Sequence, residues 1–399
     1  MIEKDFSLNA LDTPIHPPDA GEIHSTPAIV PFRHHAGLHP NAGCRPPDSR
    51  SSLMTRALML LAAFVLVLAG AVPVAGQQIK AQRPVMMIGD VFQFNEGSWA
   101  TYTMHDKKDD TYFSMTMSIL ESVRRGQKDY AWMEVEIETE KELVVTRFLT
   151  EKTKAGPGDL LEAIVYVYGL EPFRIPKRML KDANKQTPPL QVGQVTKRIE
   201  QKQLLFDGES LDVWAVEGTD QQGGPMTAMV SLGVAPIGVL LAETNEISMY
   251  LEAWGGGATT RIKGEPVGFT MWVLSMVADG MAGKDIVMKE RPQRTWDVAG
   301  AWREVEGPCA QSAWTLTARG GKLSRVTVPC CDASQPAQVS ESSAPRWRSD
   351  RIVVMNMPGR AATDTPTATL IFVAPTKAVI WYTAPDGRPA FATLRKGTT

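Results

Sequence analysis

From Trp99 to Ile137 the chain alternates apolar and polar residues in three successive runs. A period of two puts neighbouring side chains on opposite faces and marks half-buried antiparallel strands. One face of the first run carries Ala100, Tyr102 and Met104, of the second Phe113, Met115, Met117 and Ile119, and of the third Ala131, Met133, Val135 and Ile137. The other faces read Thr101 and Thr103, then Ser114, Thr116 and Ser118, then Glu134, Glu136 and Glu138. The linkers 105–110 and 124–129 are short and polar, which predicts a meander with one apolar side that something must cover.

A lead-in strand is expected at Met86–Phe94. Further strands are expected at Leu143–Leu149, Leu160–Tyr168, Val195–Lys202, Leu211–Glu217, Met226–Leu232, Val239–Glu243 and Ile247–Trp254. Lys177–Lys181 reads as a helical turn. Roughly ten strands in order with little helix predict one large antiparallel sheet, which at that size must curl to bury its face. The cover is expected at Val267–Ala282, where Phe269, Trp272, Val273, Met276 and Val277 recur as one helical stripe. Its polar side has almost no Lys or Arg, so packing on the sheet is favoured over lying on a membrane surface. Beyond a linker, Trp296 to Arg395 holds short apolar runs between Gly and Pro turns, the pattern of a small β-barrel or sandwich.

The fold class expected is therefore mainly β. A large curved antiparallel sheet, or half-barrel, spans 84–257. A covering helix and linker follow over 258–290, and a small C-terminal β domain over 294–397.

The amino-terminal region changes the cellular setting. Residues 1–53 are rich in Pro and His, have no hydrophobic period and could not bury a core. Met54-Thr55-Arg56, the apolar run Ala57 to Ala71 and the small residues Pro73 to Gly76 then have the layout of a secretory signal. The expectation is initiation at Met54, with 1–53 a misplaced gene start, and cleavage near Gln77. Ending at Pro73, the run falls short of the roughly 20 apolar residues a span needs, so no stable membrane span is expected after cleavage.

The chain has 399 residues, 43% hydrophobic and 22% charged, an ordinary globular composition for two or three domains. A net charge of -2 supplies no basic field for nucleic acid or an anionic membrane surface. Neither GxxxxGK[ST] nor GxGxxG is present. Of the six histidines, His16, His24, His34, His35 and His39 precede residue 40, leaving His105 alone downstream. Ser-His-Asp hydrolysis and catalytic zinc both need placed imidazoles, so no enzyme activity, metal or cofactor is expected, and His105 reads as a solvated turn residue.

In an oxidising compartment Cys309 is expected to pair with Cys330 or Cys331, a link worth about 3 kcal/mol for a short loop. Glu134, Glu136 and Glu138 lie on a polar strand face and read as solvated rather than as a catalytic pair. Asp106, Asp109 and Asp110 read as solvated turn residues, without EF-hand spacing. The methionines are more informative, because Met adapts to irregular apolar ligands. Tyr102, Met104, Phe113, Met115, Met117, Met133 and Val135 are therefore the candidate ligand-lining residues, with an ordinary Met-rich core as the competing reading.

The segment from Asp90 to Gly255 resembles a type of exported bacterial protein in Gly97-Ser-Trp99-Ala-Thr-Tyr102, Tyr130-Ala-Trp132-Met-Glu134, Val234-Ala-Pro236-Ile-Gly238-Val239 and Leu251-Glu-Ala-Trp254-Gly255. The strand succession is similar to the LolA-like lipoprotein and lipid carriers. That resemblance implies a curved sheet wrapped around helical cover with an apolar cavity, and no catalytic residue. Together these readings point to a periplasmic or envelope protein of a bacterium that binds or carries a lipid or lipoprotein acyl chain. The alternative is a non-catalytic structural or interaction protein of the envelope with a filled core.

Overall fold

A computed structural model of the protein describes residues 91–140, 142–154, 156–186, 194–220, 223–281, 296–308, 312–319, 322–328, 340–341, 345–357, 367–384 and 388–397. The segment 1–53, the signal at 54–76 and Cys309, Cys330 and Cys331 lie outside the described residues.

The architecture is mainly β, in two sheets. The first contains β1 (Trp99–Asp106), β2 (Thr111–Arg125), β3 (Lys128–Glu138), β4 (Leu143–Thr153), β5 (Gly156–Val167), β6 (Phe173–Arg174), β7 (Gln194–Phe206), β8 (Glu209–Thr219), β9 (Pro225–Val230), β10 (Val239–Thr244), β11 (Ile247–Gly255) and β12 (Val267–Gly268). The second contains β13 (Gly300–Glu306), β14 (Ala313–Arg319), β15 (Lys322–Val328), β16 (Ser340–Glu341), β17 (Arg346–Trp347), β18 (Ile352–Met355), β19 (Ala368–Ala374), β20 (Lys377–Thr383) and β21 (Pro389–Lys396). The described helices are α1 (Lys177–Gln186) and α2 (Phe269–Met281). Among the described residues no helix is long and apolar enough to cross a membrane.

The first sheet has the order β12-β6-β5-β4-β3-β2-β1-β11-β10-β9-β8-β7. It is two meanders joined where β1 pairs with β11. Its pairs are antiparallel except β12 with β6, which run parallel and make the sheet mixed rather than wholly antiparallel. The register aligns the apolar positions in rows: Leu251, Tyr102, Met115 and Ile137 stand side by side, as do Ala100, Met117 and Val135. Slipping one strand by a single residue would turn its apolar set to the opposite face, so burial of one face fixes the pairing.

Three elements help cover that face. Leu180 of α1 is 3% exposed, Trp272 of α2 is 6% exposed, and the β9–β10 turn buries Val234 and Ile237. At the turn's end Gly238 has φ +75, and a Cβ there would come within 2.7 Å of the Val91 carbonyl oxygen, so only glycine fits. Trp272 stacks obliquely on Phe173, ring centroids 4.4 Å apart. The α2 stripe differs from the expected one. Phe269, Trp272 and Met276 pack on the core, whereas Val273 and Val277 are exposed together with Met271 and Leu274. A helix apolar on nearly every side must leave some of that surface in water when only one stripe meets the sheet.

The second sheet runs β16-β15-β14-β13-β21-β20-β19-β18-β17 and is barrel-like and nearly closed. Trp302, Trp314, Leu370, Phe372, Ile380 and Leu394 fill its inside. Along β19 and β20 the alternate residues Ile371, Val379 and Trp381, with Phe391 of β21, join the core of the first sheet instead. These strands are apolar on both faces because both faces are covered.

Candidate functional site

The residues expected to line a ligand cavity do come together. Tyr102, Met104, Met115, Met117 and Met133 share one face of β1 to β3 and are 0–2% exposed, Val135 is 7% exposed, and Phe113 packs half-buried against them. Burial pushes the Tyr102 phenol pKa far above its ordinary value. Around these residues the core is continuous with Leu180, Trp272, Ile237 and Leu251.

The opposite, polar face departs from expectation. Glu134 is not solvated: it is 3% exposed and accepts hydrogen bonds from the Thr260 hydroxyl at 2.6 Å and the Arg261 backbone N–H at 2.8 Å. Glu136 pairs with Arg261 at 3.4 Å. The chain after β11 thus crosses this face and converts a polar strand surface into a bonded interface. In the β1–β2 turn, Asp106 accepts from the backbone N–H of Lys108 and Asp109. His105 is not a solvated turn residue either. Its side chain is 14% exposed, its Nε2 lies 3.2 Å from Asp110, and its ring stacks on Tyr112 with centroids 4.0 Å apart. Burial lowers the imidazole pKa, and the Asp110 carboxylate opposes that shift. Asp110 also meets Arg348, in the bend between β17 and β18, at 2.5 Å.

Those contacts belong to a polar seam between the two sheets that no sequence signal announced. The β1–β11 register shifts so that Thr101 faces Ala253 while Tyr102 faces Leu251, which leaves Glu252 as the extra residue of a bulge. The bulge turns its carboxylate outward, where the Thr103 hydroxyl donates to it at 2.7 Å and the Arg351 guanidinium at 2.6 and 3.0 Å. The Trp381 indole N–H donates to the Leu251 carbonyl at 2.9 Å. Thr369 of β19 lies beside Tyr250 in the same seam. At the far end the β7–β8 hairpin turns on Asp207 and Gly208, both with positive φ as a two-residue turn requires. The Asp207 carboxylate meets Lys377 at 2.6 Å, and the Glu306 carboxylate accepts the backbone N–H of both Asp207 and Gly208.

Beside Trp381 the seam opens into a cleft of about 70 Å³ bounded by Leu241, Glu243, Tyr250, Thr369 and Tyr382. Among the described residues it carries one carboxylate and hydroxyl groups from Tyr and Thr, which can hold a ligand by charge and hydrogen bonds.

No family model matches the chain, and no curated protein matches it. Among solved structures it is similar to a proposed lipoprotein from Parabacteroides distasonis (TM-score 0.21, 9% identity, 43% of this chain and 100% of that one). It is also similar to MucB (TM-score 0.22, 11% identity, 78% of this chain and 89% of that one) and to MucB in complex with MucA(peri) (TM-score 0.19, 9% identity, 74% and 86%). Likeness of this degree carries no argument about activity, ligand or partner, so the functional reading rests on the residues themselves.

Proposed function

We propose that the protein is an exported, non-catalytic interaction protein of the bacterial envelope, with the inner face of its large sheet filled by its own side chains. The observation that carries this reading is the 0–2% exposure of Tyr102, Met104, Met115, Met117 and Met133 within one continuous core. Export is supported by the signal pattern at 54–76. A non-catalytic role is supported by His105, whose imidazole is engaged by Asp110 and Tyr112 at the seam. Exposed Met271 and Leu274 on α2, and Ile199 and Leu205 on the sheet's edge strand β7, offer apolar surface to another protein.

A second reading, carriage of a lipid or lipoprotein acyl chain along the Met face, is favoured by one observation. Among the described residues of α2, Phe269, Trp272 and Met276 pack on the core, an attachment small enough for the helix to act as a lid. Titration of the purified protein with a fluorescent fatty-acid probe separates the two. The filled-core reading expects no saturable uptake; stoichiometric uptake, lost in Met117→Asp with unchanged circular dichroism, would replace it by carriage. Fractionation followed by N-terminal sequencing checks export, with a start near Gln77 expected.

A further inference from the structure

The cleft at the seam contains a carboxylate that no described residue pairs. Glu243 stands on β10 opposite Ser248 and Thr227, half-buried, and forms no hydrogen bond or ion pair among the described residues. Its field reaches the neighbouring phenol. Burial raises the Tyr250 pKa, and the negative charge of Glu243 adds to the rise. The groups that complement a carboxylate facing a cleft are cations and hydrogen-bond donors.

The rest of the wall selects among them. Among the described residues no Lys or Arg lines the cleft. Tyr250, Trp381 and Tyr382 contribute aromatic rings, whose negative faces attract organic cations. The Thr369 and tyrosine hydroxyls add oxygen acceptors. A hard metal ion would need about six oxygen ligands, with more carboxylate than one residue gives. Anions are repelled by Glu243. A volume of about 70 Å³ takes a small head group and no acyl chain. We propose that this cleft binds an organic ammonium group, with Glu243 as its counter-ion and the seam aromatics as its walls.

Two sources carry that chemistry, a lipid head group and a lysine side chain. Calorimetric titration and saturation-transfer NMR of the whole protein at low salt, with choline, ethanolamine and n-butylamine, test the site and tell the sources apart. The neutral isostere 3,3-dimethylbutan-1-ol is the control. The ammonium ligands are expected to bind at least tenfold more tightly than the isostere. Glu243→Gln should weaken them at least tenfold with an unchanged melting curve, whereas Glu209→Gln, at the exposed start of β8, should leave binding intact. Preference for choline or ethanolamine assigns the site to a head group, and preference for n-butylamine assigns it to a lysine. The proposal is overturned if no ligand binds, if the isostere binds as tightly as choline, or if Glu243→Gln binds within twofold of the unmodified protein.

Discussion

Arg351 grips both oxygens of the Glu252 carboxylate across the seam, with the two side chains 7% and 1% exposed. Burial alone would lower the Arg351 pKa, but the Glu252 charge and hydrogen bonds more than offset it and leave the pKa raised. A buried pair of this kind costs most when only half of it is removed, because the remaining charge stays in the interior. Arg351→Met or Glu252→Leu alone should lose about 3–5 kcal/mol in denaturant unfolding, while the double variant should recover most of that loss. Single losses below about 1 kcal/mol would show that water reaches the pair.

Acidification should weaken the seam through His105. Burial places its folded pKa below the ordinary 6.5 despite Asp110. Between those two values the unfolded chain binds the proton and the folded one does not. The stability contribution is therefore fully present above about pH 6.5 and is lost as the pH falls through the folded pKa. The difference in unfolding free energy between the unmodified protein and His105→Phe should accordingly shrink on going from about pH 8 to pH 5. A pH-independent difference would remove His105 from the seam's energetics.

Met115 and Met117, each 1% exposed, should behave as packing residues. Truncation of either to Ala should cost about 2–5 kcal/mol, the loss of buried surface plus the cavity left behind. If instead both variants melt as the unmodified protein does, these side chains border open space and the carriage reading gains.

Glu306 should hold the tip of the β7–β8 hairpin through the Asp207 and Gly208 backbone N–H groups. Glu306→Ala should cost about 1–3 kcal/mol and accelerate hydrogen exchange at those two amides at least tenfold. Unchanged exchange would mean that Lys377, 2.6 Å from the Asp207 carboxylate, suffices alone.

What could be read along the chain was whatever a strand's own period dictates. The apolar faces of β1 to β3 appear in the structure residue for residue, because alternation fixes which side chains share a side. The helix at Phe269–Met281 was readable from its apolar run, but its orientation was not. With apolar residues on almost every side, the sequence contained no contrast by which to choose Met276 over Val277. The polar faces misled for a related reason. Glu134 and Glu252 look like solvent-facing strand residues, and only the Thr260–Arg261 segment and Arg351, 99 residues beyond Glu252, make them interior. Local pattern carries no information about a cover that arrives from so far along the chain.

That distance also sets an order of events. A chain emerging from its amino terminus completes β11 while the indole that will cap the Leu251 carbonyl is still 130 residues away. Until β18 to β21 arrive, Tyr250 and Glu252 present a wet, half-finished surface, and the strands bearing Ile371, Val379, Trp381 and Phe391 then emerge with an apolar side that only that surface can take. A chain cut short before β19 should therefore leave the Tyr250 and Glu252 surface uncovered and open to a neighbour.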